Sequence, residues 1–474
     1  MKMTIEIMKM TIKSAVLAVT GTASLVTCGA EIPARYREQW NDEINAGIDE
    51  RIERYRKADW SGGGFPAGAE VKVEQVSHAF LFGSHIFNFD QLGRDDWNDV
   101  YKATFTNLWN AATVGFYWNA YEPERGSTRF ANGPRDGAAF WNTQAAKSPE
   151  EKGKAFVEWR RPAPDPILDF CDAHGISVHG HTMIYGGFGP EWVKSIADET
   201  LLAQVYEERI RTLGRHYGAR IPQWDVVNES VNRQSTFDAP DDVRSWWDPK
   251  VPLPHDYTFR SFGWAAKYFP ASVRLAINDA GVVVNPYVPF IRRLLDRGAK
   301  IDVVGMQMHI FKQQDVRKIA AGEQCVTNQQ SWDPVDQIAA FQKLDRLGKP
   351  IHLSEITIPA PDDSDEGQEV QARLFRDNYR LWFSWPSIYR ITDWNLVDYT
   401  YYKEKLPSGL YTYDMRKKKA YHALDRLINH EWKTRLELKA DDAGRVAFRG
   451  FKGRYRLSWK TADGALAERF EEVR

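Results

Sequence analysis

The stretch Ile221-Pro-Gln-Trp-Asp-Val-Val-Asn-Glu-Ser230 decides how the rest of the chain is read. Trp224 to Val227 is a short, largely apolar run, the pattern of a strand buried in a parallel sheet. It ends abruptly in Asn228, Glu229 and Ser230, polar residues where a strand gives way to a loop. On its own such an ending is as easily a polar cap as a site. A second strand changes the balance, because Pro350-Ile-His-Leu-Ser-Glu355 is again apolar and again ends in glutamate. In a (β/α)8 barrel the carboxyl ends of the strands are where chemistry is placed. Two carboxylates, far apart in the chain, are then expected on one rim.

Retaining glycoside hydrolysis needs such a pair. One carboxylic acid protonates the leaving oxygen and one carboxylate attacks the anomeric carbon, the two groups lying roughly 5–5.5 Å apart. The motif Trp224-Asp-Val-Val-Asn-Glu229, followed by a later strand ending in Ser354-Glu355, resembles glycoside hydrolase family 10, whose best-known members are retaining endo-β-1,4-xylanases. The resemblance implies that Glu229 is the acid/base and Glu355 the nucleophile. It implies an α/β fold, a (β/α)8 TIM barrel, here with a small C-terminal antiparallel β extension.

Working outward, Ala79-Phe-Leu-Phe-Gly83 reads as the first barrel strand. Phe105 to Gly126 resembles the family's second strand and following loop, with Trp118, Glu122, Pro123 and Gly126 in place. Thr113-Val114 stands where the family has Glu-Asn, and Tyr117 where it has Lys. Losing buried polar groups from a sugar subsite alters which glycan is accepted. Ile176-Ser-Val-His-Gly-His-Thr-Met-Ile-Tyr185 resembles the third strand. There His181 would touch the sugar beside the cut, while Tyr185 stands in place of Trp and Gly186 in place of a second His. Arg274-Leu-Ala-Ile-Asn-Asp279 resembles the fifth strand and makes Asn278 either a site residue or a cap. In the sixth, Gln307 and His309 alternate onto one face, where the resemblance has them support the nucleophile. Asn228 would bond the 2-hydroxyl of the reacting sugar, and Trp394 would form the floor beneath it. Tyr117 and Trp118 complete the expected substrate-binding set. Thr357, where the family has Asp, reads as structural. Asn132–Arg161 reads as an insertion near the mouth of the site, and Asn232–Pro254 as a loop lining the cleft.

The boundaries expected are a signal peptide over 1–28, a helix and loop over 29–66, the barrel over 67–430 and a β-strand module over 431–474. Lys9 and Lys13 precede the apolar run Ala15–Cys28, which reads as an export signal rather than a membrane span. Leu25-Val-Thr-Cys28 resembles a lipoprotein box, with Thr27 a departure from it, so Cys28 is a candidate lipid anchor. Residues 59–66 read as a loop from their glycine and proline content. Beyond Glu431, alternating segments with Asp-Asp-Ala-Gly and Thr-Ala-Asp-Gly turns predict antiparallel strands. These would dock on the barrel or on Val71–Val76.

A net charge of −1 with 27% charged residues argues against a nucleic-acid binder. Aromatic residues make up 13% of the chain, 18 of them Trp, enough to serve both a core and sugar stacking. No phosphate loop, metal-ligand spacing or serine triad is present, so neither a cofactor nor a metal is expected. The expected partner is a polysaccharide or oligosaccharide, and the expected protein an exported monomer. Two alternatives stand beside a xylan hydrolase: the same machinery on another plant or algal glycan or oligosaccharide, and a non-catalytic glycan-binding lipoprotein.

Overall fold

In the computed structural model, residues 32–143, 161–231, 251–280, 286–400 and 406–474 are described. The leader over 1–28, most of the insertion and most of the Asn232–Pro254 loop lie outside them. In chain order the strands are β1 (Lys57–Gly63), β2 (Glu70–His78), β3 (Leu81–His85), β4 (Ala111–Gly115), β5 (Ser177–His181) and β6 (Gln223–Asn228). They continue as β7 (Arg274–Asp279), β8 (Val303–His309), β9 (Val326–Thr327), β10 (Gln330–Ser331), β11 (Ile351–Thr357) and β12 (Ile388–Asp393). The last four are β13 (Arg435–Lys439), β14 (Arg445–Phe451), β15 (Gly453–Lys460) and β16 (Leu466–Val473).

Eight of these close into a parallel barrel in the order β11-β12-β3-β4-β5-β6-β7-β8. The strands are short and buried along nearly their whole length, which is why they read as apolar runs without alternation. Helices cover them outside. Glu199–Tyr217 is capped by Asp198, whose side chain accepts from the Leu201 amide, and it buries Leu202, Tyr206, Ile210, Leu213 and Tyr217 at helical spacing. Asp365–Ser384 is capped in the same way by Ser364.

The N-terminal helix Asp42–Arg56 packs on Asp365–Ser384. Arg56 fastens it there, donating to the carbonyls of Phe383, Trp385 and Ile388, the last at 2.6 Å. Burial in that carbonyl cradle pushes the Arg56 guanidinium down to about 9.

Two boundaries expected from the sequence move. The Gly-rich stretch read as a loop over 59–66 begins as strand β1, paired antiparallel with β14 from Lys57↔Phe451 to Gly63↔Arg445. Its glycines serve packing. A Cβ on Gly62 would lie 2.5 Å from the Trp60 ring, so the strand keeps its own tryptophan folded against it. The β module is likewise not confined to 431–474, because β2 sits inside a four-stranded sheet of order β13-β2-β15-β16. That sheet and the β1–β14 pair enclose Phe65, Val71, Val73, Val446, Phe448, Tyr455 and Leu457. Four C-terminal strands alone could not enclose such a core; both ends of the chain supply it. Barrel and module together make one compact unit, Ile32–Arg474.

Candidate active site

The barrel's carboxyl-terminal rim gathers the polar strand ends. Glu229 directly follows β6, with its backbone in the left-handed region (φ 53°) and its amide donating to the Asn278 carbonyl at 2.8 Å. A non-glycine residue held there carries strain on the order of 1–2 kcal/mol, which the surrounding rim must offset. Register breaks lie beside both carboxylates, between Asp225 and Val227 in the β6–β7 pairing and between Leu353 and Glu355 in β11–β8. Such irregularities re-aim side chains.

Glu355 is buried in a ring of donors. Asn278 Nδ2 reaches its Oε1 at 2.7 Å, Gln307 Nε2 the same oxygen at 3.1 Å, and His309 Nε2 its Oε2 at 3.1 Å. The other ring nitrogen of His309 meets Thr357 Oγ1 at 2.8 Å. Thr357 therefore belongs to the site: its hydroxyl can donate to Nδ1, which fixes Nε2 as the donor toward Glu355. Asn278 is equally committed, donating also to Asn228 Oδ1 at 2.8 Å and accepting from Ser354 Oγ at 2.5 Å. Gln307 Nε2 lies 3.3 Å from the same Asn228 oxygen. With its oxygen engaged, Asn228 keeps its NH2 as the remaining group.

Glu229 accepts from Tyr185 Oη at 2.6 Å on Oε2, and its Oε1 lies 3.4 Å from Gln307 Nε2. One amide nitrogen thus touches both carboxylates. Its two distances, 3.4 and 3.1 Å, hold the Oε1 atoms of Glu229 and Glu355 within about 6.5 Å of each other.

Beneath Glu355 lies a buried His-Asp-His arrangement. Asp225 Oδ2 is 2.8 Å from His179 Nε2 and 2.8 Å from His181 Nδ1, while His181 Nε2 stands 3.9 Å from Glu355. Burial acts to raise the Asp225 carboxyl, but the charges and hydrogen bonds of the two histidines outweigh it and bring it down to about 2. Burial acts to lower His181. The bond to Asp225 and the charges of Glu355 and Asp225 prevail, and raise it above the ordinary histidine value. His179, without the second carboxylate, is lowered by burial.

Trp394 follows β12 as a buried ring, edge-on to His85 at 4.6 Å, His181 at 5.2 Å and Phe87 at 5.4 Å between centroids. Tyr117 meets His181 at 5.4 Å and Phe188 at 4.8 Å. The cation that the resemblance places at Tyr117 is not lost from this region. The Arg161 guanidinium lies 3.4 Å over the Tyr117 ring, with Arg129 donating to the Arg161 carbonyl at 2.8 Å. Trp118 is not brought together with the others. Its indole N–H donates to Glu122 at 2.7 Å, and its ring lies edge-on to Trp192 and Tyr206 within the core.

Sequence reasoning missed Asp225, His85, Arg161 and the part played by Thr357. Asp225 had a signal, an acid inside a strand buried on both faces. Thr357 had one in its i+2 spacing from Glu355, the same spacing that joins Gln307 to His309. Arg161 had none, because it sits in a polar insertion without periodicity.

The family model described as glycosyl hydrolase family 10 matches residues 80–426. This chain belongs to family 10. Among its relatives are the anti-sigma-I factor RsgI6 of Acetivibrio thermocellus and endo-1,4-β-xylanase 3 of Hypocrea jecorina. The first is 24% identical over 428 residues, 89% of this chain but only 46% of the relative's length. The second is 26% identical over 266 residues, 55% of this chain and 67% of the xylanase. Among solved structures, native xylanase 10B from Thermotoga maritima superposes with a TM-score of 0.54 at 19% identity, over 74% of this chain and 96% of that one. At that identity the superposition speaks for the family 10 fold. Among the described residues no cluster of His, Cys, Asp and Glu is arranged to hold a metal ion, and no helix is long and apolar enough to cross a membrane. Cys171 and Cys325 are free thiols, the first buried and the second only partly so.

Proposed function

We propose that this family 10 chain is a retaining glycoside hydrolase that cuts a β-linked polysaccharide such as xylan, with Glu229 as acid/base and Glu355 as nucleophile. The observation that carries the reading is the shared contact of Gln307 with both carboxylates. It keeps their Oε1 atoms no more than about 6.5 Å apart, a ceiling that admits the roughly 5–5.5 Å of a retaining pair.

In the first step Glu355 attacks the anomeric carbon while Glu229 gives its proton to the departing glycosidic oxygen. In the second, Glu229 takes a proton from water, whose oxygen attacks the same carbon and releases Glu355. Two inversions leave the anomer unchanged. Asn278, Gln307 and His309 donate to the Glu355 carboxylate and hold it in place for the first step. Asn228 offers its NH2 to the 2-hydroxyl, and Trp394 floors the sugar with His181 beside it.

The glycan is the less constrained part. Thr113, Val114, Tyr117, Tyr185 and Gly186 all depart from the xylanase pattern, which favours a related but distinct glycan or oligosaccharide as the second reading. Incubation with glucuronoxylan, arabinoxylan, mixed-linkage glucan and algal polysaccharides tests both, with the first-formed anomer read by proton NMR. Xylo-oligosaccharides released as the β anomer support the first reading. Cleavage elsewhere with xylan untouched supports the second, and release of the α anomer from a β-linked glycan overturns retention.

A binding role is the third reading, favoured by a relative that bears an anti-sigma factor's name. Turnover that Glu355→Gln abolishes while glycan binding persists would exclude it. Export, a lipid at Cys28 and a monomeric state belong to the same proposal. The first two rest on the Lys9–Cys28 leader and are tested by mass spectrometry of the membrane fraction; size-exclusion chromatography with light scattering tests the third.

A further inference from the structure

A cavity of about 850 Å³ opens at the barrel rim among the segments that follow β3, β11 and β12, and its lining includes neither Glu229 nor Glu355. Its size suits an oligosaccharide or a drug-sized molecule. The charges around it are mostly cancelled within the protein. Lys418 binds Asp398 at 2.9 Å, Arg416 binds Asp414 at 2.8 Å and Arg317 binds Asp362 at 3.1 Å, while Arg94 is taken by Asp96 at 2.8 Å. Among the described residues only Asp363 has no cation against it. Its two oxygens are each 2.8 Å from the Tyr399 hydroxyl, which fixes the carboxylate's orientation at the wall.

Three flat rings accompany it: Tyr399 itself, and Trp97 and Tyr413, which meet edge-on at 6.1 Å. A neutralised wall gives no purchase to a phosphate or a uronate, and the remaining Asp363 repels either. A fixed carboxylate accepts two hydroxyl donors, and partly exposed Trp and Tyr rings take the apolar face of a sugar. We infer that this cavity is a second carbohydrate site, taking a neutral segment of a polysaccharide at a distance from the catalytic pair. The inference rests on the glycan-active reading above, since it names a further hold on the same class of ligand. Binding remote from the reacting bond would keep the chain on its polymer between cuts, as multivalent attachment does.

The test uses the inactive protein, Glu355→Gln, in native gels cast with arabinoxylan or mixed-linkage glucan. Adding Trp97→Ala or Tyr413→Ala is expected to weaken retardation on the order of tenfold, the weight of one lost aromatic face. Thermal melts are run on every variant, and the half-exposed Tyr413 serves as the check should the Trp97 change unfold the protein. Retardation unchanged in both variants overturns the inference, as does absence of retardation of Glu355→Gln by either glycan. Turnover by the intact chain is measured in parallel. Turnover without ring-dependent retardation removes the second site alone, while ring-dependent retardation without turnover removes the hydrolase reading alone.

Discussion

Tyr185 is the residue at which this rim departs most directly from its family. Where the family has tryptophan, the Tyr185 hydroxyl donates to Glu229 at 2.6 Å. The bond engages Oε2, while Oε1 faces Gln307 Nε2 at 3.4 Å, so the hydroxyl helps to aim the proposed acid/base. Tyr185→Phe should therefore lower kcat by about tenfold, the weight of a hydrogen bond to a charged group, with little change in substrate affinity; steady-state kinetics on the preferred glycan checks it.

Asp225 governs a different property. Its folded value of about 2 lies below the ordinary carboxylate value, so its contribution to stability is complete above about pH 4 and fades as pH falls toward 2. That contribution is about 2 kcal/mol. Urea titrations from pH 6 to 2.5 should show the parent losing that margin. Asp225→Asn should be less stable at pH 6 and lack this part of the acid loss. His181 runs the opposite way: its raised value gives stability that is full below the unfolded histidine value and disappears as pH climbs through the folded one.

At the scale of elements, the site is held by how closely neighbouring strands approach. Gly180 in β5 is the tightest such place among the described barrel strands, since a Cβ there would fall 2.4 Å from the buried Trp224 ring of β6. Gly180→Ala should cost about 1–3 kcal/mol through overpacking. It should also depress activity beyond the stability loss, because β5 carries His181 and β6 carries Asn228 up to Glu229. Chemical denaturation and assays well below the melting temperature separate the two effects.

Strands such as β6 and β11 were legible as apolar runs ending in polar residues, β4 and β5 through the resemblance to the family, and the helix Glu199–Tyr217 through its periodic pattern. Strand β1 was not, since its glycines read as a turn until Trp60 is seen to fold over Gly62. Pair contacts such as Arg161 on Tyr117 depend on three-dimensional proximity between segments of unrelated pattern, which no periodicity reports. The two rim carboxylates, Glu229 and Glu355, lay at the legible extreme, and the rings near them at the other, with Trp118 sharing the same motif as Tyr117 yet packing into the core.

For the whole molecule, the decisive feature is that strand β2 lies between β13 and β15. Removing residues 433–474 would strip β2 of both hydrogen-bonded neighbours and uncover Val71 and Val73, which are buried at 1% and 0% exposure. An unpaired apolar strand is an aggregation hazard. The truncated chain should accumulate as insoluble material rather than as a free barrel, and its partition between soluble and pelleted fractions decides the point.

The same clasp has a temporal side. Residue Lys57 finds its partner Phe451, and Glu74 its partner Arg456, only when nearly the whole intervening chain is available. Pairings of such long sequence separation form late and slowly. The barrel's neighbouring strands can associate as they emerge, while the first strands wait for the last. A chain interrupted before β13 to β15 therefore carries unmated early strands, and their pairing with those late strands, rather than barrel closure, is the event that seals the fold.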